Sequence, residues 1–293
     1  MKMQATGHPA VHAFVGLQLF GAIGFLFIVL LAEIVDRENV RHPTWRGFCV
    51  AWVVFGVSYA MLSLAGMQFS QNPNHIFCTI QSALVYAASP LVAHAALALV
   101  TQLASVVLHV LQKTNRPLSR TMQILIAVAP WLLWLINVFS ILLYAIHKPD
   151  LVSMNKNGTY CHLSYPTMSK IMASWLSVVA TAAVGIEIIL LYRRGFLLSR
   201  QCDVSRSIMR LGIFLVQAII CIGVAIAFIA TNHRAIVFDI LIAIQPSLAA
   251  IIFGTNPSLL HIWSWKRRAP RGGIITHASA DLSAVTTSGN VDA

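Results

Sequence analysis

Seven long apolar runs constrain this chain more than any other feature: 11–31, 47–67, 76–111, 121–146, 171–191, 211–231 and 235–254. A helix needs roughly 20 such residues to cross about 30 Å of hydrocarbon. Inside hydrocarbon every backbone N–H and C=O must pair within the protein, which favours helices. Only 10% of the 293 residues are charged, against roughly a quarter in soluble domains. The sequence predicts an all-α membrane protein, a seven-transmembrane helix bundle over residues 1–268 followed by a disordered cytoplasmic tail, 269–293.

The third run is longer than one perpendicular crossing, and charge decides how to read it. Its interruption is Ser89-Pro90 with no polar turn, and a proline inside a membrane helix is tolerated as a kink. With one crossing per run and the N-terminus outside, the inner segments hold Arg37, Arg41, Arg46, Lys113, Arg116, Arg120, Arg193, Arg194, Arg200, Arg206, Arg210, Lys266, Arg267, Arg268 and Arg271. The outer side keeps Lys2, Lys148, Lys156, Lys170 and Arg234. Splitting the third run would reverse the later clusters and destroy this positive-inside bias. The net charge of +11 is therefore a membrane signature rather than a nucleic-acid one, and the inner basic loops suit anionic lipid headgroups. No cleavable signal peptide is evident, so the first helix is expected to insert as its own signal.

Asn157-Gly158-Thr159 is a glycosylation acceptor in an outer loop, whereas Asn256 is blocked by Pro257. Cys78 opens the third helix at the outer face and Cys161 lies in the loop 147–170. Both face an oxidising compartment, where a bridge is expected to pin the loop over the bundle; the alternative is two free thiols. Cys49 and Cys221 read as packing residues, and Cys202 as a loop thiol or a palmitoylation site.

Ionisable residues at membrane depth are functional candidates by default. Asp239 stands about one turn below Arg234; it either binds a cationic ligand group or pairs with Arg234 or His233 as a lid. His94 is read as a packing histidine or a proton sensor. Glu187 lies near Arg193 and Arg194, which favours an inner-face ion pair. The uncharged polar residues Gln81, Tyr86, Asn137, Trp175, Gln217 and Gln245 occupy outer or middle levels of several runs, as interhelical glue or as the wall of a ligand cavity. Pro90, Pro130 and Pro246 are kink candidates. Beyond the seventh run, Asn256-Pro257-Ser258 followed by Leu259, Trp263 and Trp265 predicts a short interfacial helix, 257–266.

The plan resembles that of G protein-coupled receptors. More closely, the chain is similar to a family of seven-helix receptor-like proteins from basidiomycete fungi. The segments carrying the likeness are His42-Pro43-Thr44-Trp45-Arg46, Ser58-Tyr59, Gly66-Met67-Gln68, Cys78-Thr79-Ile80-Gln81, Tyr86 to Leu91, Tyr160-Cys161-His162-Leu163, Phe253-Gly254-Thr255 and Leu259 to Trp263. The acidic-Arg-Tyr motif that ends helix three in rhodopsin-like receptors is absent, the segment reading Gln102 to His109, and so is the helix-seven Asn-Pro-x-x-Tyr motif. The resemblance implies a plasma-membrane receptor that senses an extracellular small molecule and signals to a cytoplasmic partner, a heterotrimeric G protein. Asp239, Gln81, Tyr86, Gln245 and Trp175 are the ligand-binding candidates, and Arg193, Arg194, Arg206 and Arg210 the partner contacts.

Three other readings compete. A retinal-binding opsin needs a helix-seven lysine, and 235–254 has none. A small-molecule transporter could share the topology, but no internal repeat stands out. A zinc hydrolase needs several His and acidic ligands at one depth, whereas His94, Glu187 and Asp239 sit at different levels. No cofactor, metal or enzymatic activity is expected.

Overall fold

Long apolar segments bounded by proline and small polar residues determine where the helices begin and how far they run. The computed structural model describes residues 8–35, 43–70, 73–112, 119–195, 215–227 and 236–254. Its helices are α1 (His8–Val35), α2 (Pro43–Leu64), α3 (His75–Gln112), α4 (Arg120–His147), α5 (Pro166–Gly195), α6 (Leu215–Ala227) and α7 (Ile236–Gly254). Pro43 and Pro166 open α2 and α5, where a missing N–H has no cost. Ser119 caps α4 through a 3.3 Å bond from the Met122 N–H, and Asn74 accepts from the Ile76 N–H at 2.9 Å at the start of α3.

The long third run is one helix, with Pro90 inside it. Among the described residues, six helices are long and apolar enough to cross a membrane. The chain is a multi-pass membrane protein. α6 covers the middle of the run 211–231, whose ends lie outside the described residues, as do the segment 257–266 and the tail 269–293. The loop 147–170 has regular structure of its own. Between α4 and α5 the chain forms a 3-10 turn, Pro149–Leu151, and a two-stranded antiparallel hairpin, β1 (Val152–Met154) with β2 (Cys161–Leu163), Met154 facing Cys161.

α3 is the central post: α2, α4 and α5 pack around it, and α1 joins α2 to α7. Between α1, α2 and α7 lies an aromatic core in which Phe25 stacks on Trp52 at 5.9 Å and Phe48 meets Phe253 at 5.0 Å. α4 is peripheral. It buries Pro130, Ile141 and Ala145 but leaves Leu132, Ile136, Phe139 and Leu143 uncovered. On a soluble monomer such a face would be an association surface; on a membrane helix it is the lipid contact.

Small residues bring the backbones of α1 and α7 together, as expected where packing rather than hydrophobicity joins helices. A Cβ placed on Gly21 would fall 2.6 Å from the Pro246 backbone carbon, so nothing larger than hydrogen fits. Ser247 on the next residue donates to the Leu17 carbonyl at 2.7 Å. Gly16, on the same helix, has no atom within 4 Å of such a Cβ. Gly21→Ala should therefore lower stability by about 1–3 kcal/mol, read as a reduced thermal midpoint in detergent. Gly16→Ala should leave it unchanged or slightly higher. Equal midpoints for the two variants would contradict the close α1–α7 contact.

Candidate functional site

The hairpin is built from a turn that only a few residue types allow. Asn155 to Gly158 closes through a 2.7 Å bond from the Gly158 N–H to the Asn155 carbonyl, and Gly158 has φ +71°, the left-handed region open to glycine. Cys161, in β2, is bridged to Cys78 in α3 with Cα atoms 5.3 Å apart. Further bonds hold the hairpin down. Gln81 Oε1 accepts from the Cys161 N–H at 3.0 Å while its Nε2 donates to the α2 carbonyls of Ser58 and Tyr59, both at 3.3 Å. Gln68 Nε2 donates to the carbonyls of Gly158 and Thr159. Tyr86 donates to the Leu163 carbonyl at 3.2 Å and shares a 2.8 Å hydroxyl bond with Ser169 of α5.

Asp239 is the hub of this end. Its Oδ2 accepts from Asn155 Nδ2 at 3.0 Å, Asn157 Nδ2 at 2.7 Å and the Thr159 hydroxyl at 3.0 Å, and its Oδ1 accepts from the Tyr160 hydroxyl at 3.3 Å. Four neutral donors thus surround a carboxylate that is 3% exposed. Charge-assisted bonds of this kind are about twice as strong as neutral ones. The Tyr160 ring also packs between Phe14, at 5.9 Å, and Tyr59, at 5.1 Å. Arg234 and His233, the partners considered for Asp239 from sequence, lie outside the described residues.

Beneath the hairpin is a cavity of about 250 Å³, walled by α2, α3, α5, α6 and α7. Its surface is mostly apolar, with Trp52, Phe55 and Val85 on one side and Leu176, Ala180 and Ala183 on another. Along α5 the wall runs from Ser169 to Glu187, about 27 Å of helix at about 1.5 Å per residue. The polar groups fall into two sets. Near the hairpin, Asp239, Tyr160, Tyr86 and Ser169 bond to one another or to the hairpin backbone. Farther along, the wall carries Glu187, Gln217 and Gln245, with Gln217 Nε2 donating to the Gln245 carbonyl at 3.0 Å. Among the described residues, neither oxygen of Glu187 accepts a hydrogen bond, and neither do the side-chain oxygens of Gln217 and Gln245.

The sequence-based candidates separate accordingly. Asp239, Tyr86 and Gln245 line the cavity; Gln81 and Trp175 do not. Gln81 is fully buried as the clamp between α2, α3 and the hairpin. Trp175 is 49% exposed on the outer face of α5, where its ring lies 5.9 Å from His94. His94 bonds to the Pro90 carbonyl at 2.6 Å, one turn back across the proline, as a satisfied packing residue does. Glu187 is buried on the cavity wall, and neither of its oxygens has a hydrogen-bonding partner among the described residues; the side chains of Arg193 and Arg194, its expected ion-pair partners, lie outside them. Arg193 and Arg194 lie in the last turns of α5, their side chains outside the described residues, as are Arg206 and Arg210 altogether. A signal for Glu187 and Gln217 did exist in the sequence, since each is a strongly polar side chain inside an apolar run. Their common cavity was not visible, because helices that are apolar nearly all round hide which face turns inward.

Neither a scan against protein-family models nor a search of curated proteins finds a match to this chain.

Asp239→Asn places an NH₂ among four donors. It should cost on the order of 2 kcal/mol or more, seen as a lower thermal midpoint together with faster amide exchange across 155–160. Unchanged exchange in that segment would remove Asp239 as the hub.

Proposed function

We propose that this protein is a G protein-coupled receptor-like receptor of the plasma membrane, with seven crossings, its N-terminus outside and its hairpin on the extracellular side. A small molecule entering from that side occupies the cavity under the hairpin. Its binding favours one of two arrangements of α5, α6 and α7 that differ in affinity for a heterotrimeric G protein at the opposite, basic end. The observation that carries this reading is the cavity itself: concave, mostly apolar and closed by a hairpin that a disulfide fastens to α3. Such a cavity fits an amphipathic organic ligand. The disulfide also supports the orientation, because bridges persist in oxidising compartments. The excess of basic residues in the loops at the other end agrees with it.

The same orientation makes Asn157 an extracellular glycosylation site. Attachment of a glycan leaves one hydrogen on its Nδ2, enough to retain the bond to Asp239. Endoglycosidase should increase the gel mobility of the wild-type chain and leave Asn157→Gln unaffected. No shift for either would argue against glycosylation at this position.

Coupling is tested by reconstituting the disulfide-intact protein in liposomes with a fungal G-protein heterotrimer and following nucleotide exchange on the α subunit. Acceleration over protein-free liposomes, basal or with added small-molecule extract, is the expected result. Folded protein that never accelerates exchange, but carries tracer across the same liposomes, would replace this reading with the transporter.

A further inference from the structure

A buried carboxylate can be stabilised by donors or by a positive charge, and the two embedded carboxylates of this bundle differ in that respect. Asp239 has four donors from the hairpin. Glu187 is 1% exposed, lies on the cavity wall and has no hydrogen-bonding partner among the described residues. An isolated charge at this depth is strongly disfavoured unless something pairs with it. The same wall carries two more acceptors without donors, the amide oxygens of Gln217 and Gln245. Three residues from three helices thus bring to the hairpin-distal part of this wall oxygens that accept no hydrogen bond among the described residues, and the cavity surface is mostly apolar. An occupant that completes such a wall brings N–H donors and positive charge on an apolar body.

We propose that the cavity binds a lipophilic amine as its ammonium ion, with Glu187 as counter-ion. The amide oxygens of Gln217 and Gln245 accept from further N–H or O–H groups of the ligand, and apolar side chains of the wall such as Trp52, Ala180 and Ala183 pack against its body. This rests on the reading of the cavity as the ligand site. It assigns the charge-bearing role to Glu187 instead of Asp239, whose oxygens the hairpin already occupies. Organic amines are favoured over a bare metal ion by the wall, since a small cation has no use for an apolar cavity of about 250 Å³.

The test uses the full chain in nanodiscs, with protein-free nanodiscs as the partition control. The probes are a series of phenylalkylamines with two to five methylenes and the alcohols of matching length. Equilibrium dialysis should show at least one amine binding tenfold or more tighter than its alcohol. Glu187→Gln should abolish that preference, and Glu187→Asp, which keeps the charge, should retain a measurable part of it. Without ligand, Glu187→Gln should have a thermal midpoint equal to or above the wild type, because it removes a buried carboxyl whose oxygens have no hydrogen-bonding partner among the described residues; a merely structural glutamate would give a lower one. Equal binding of amines and alcohols, unaffected by Glu187→Gln, would overturn the counter-ion assignment and leave the cavity as a ligand site. Binding of neither series to the folded wild type would overturn both. Equal stabilisation of the wild type by sodium chloride alone would assign Glu187 to a metal ion instead.

Discussion

Four side-chain donors of one short turn converge on the carboxylate of Asp239, and the arrangement of the cavity depends on that convergence. The hairpin contributes Asn155, Asn157, Thr159 and Tyr160, and α7 contributes the acceptor. The Cys78–Cys161 bridge ties the same hairpin to α3, and Gln81 joins it to α2 through α3. A segment with three-residue strands has little stability of its own. Fastened at these points, it becomes the cover of a cavity whose other walls are helices. The disulfide limits the reach of the hairpin, and the carboxylate fixes its turn. Loss of either would leave the bundle with an open end.

The helices themselves follow from the absence of water. Each apolar run forms hydrogen bonds along its own backbone because hydrocarbon offers no alternative, and this is why the sequence delimits six of the long helices to within a few residues. Pro90, Pro130 and Pro246 all fall inside helices rather than at their ends. The prior expectation for soluble helices would have broken them there. Helix association then rests on close contact, as where Gly21 admits the Pro246 backbone and Gly56 the Gln18 carbonyl.

What sequence could not supply was the direction in which side chains face. The compartment argument paired Cys78 with Cys161 because both lie beside the same membrane face. No comparable argument reached Asp239, whose partners stand about 80 positions earlier in the chain and belong to a turn that becomes specific only when folded. Glu187 presented the opposite difficulty. Arg193 and Arg194 follow it by six and seven positions, which suggests an ion pair, and nothing in the sequence marks the α5 face it shares with Leu176, Ala180 and Ala183 as the cavity wall. Gln81 and Trp175 looked alike as polar-tipped residues in apolar runs. One became a backbone clamp and the other an outward-facing ring.

The central claim is that occupancy beneath the hairpin and engagement of a cytoplasmic partner are two ends of one equilibrium. Linkage requires such coupling to act in both directions, so the partner alone must alter the hairpin. Hydrogen exchange of residues 152–163 should be measured in nanodiscs with and without a nucleotide-free G-protein heterotrimer on the opposite face. The receptor account predicts that exchange in this segment changes when the heterotrimer binds, although no contact joins the two. Heterotrimer binding with identical exchange in both conditions, or no binding to the folded protein, would contradict it.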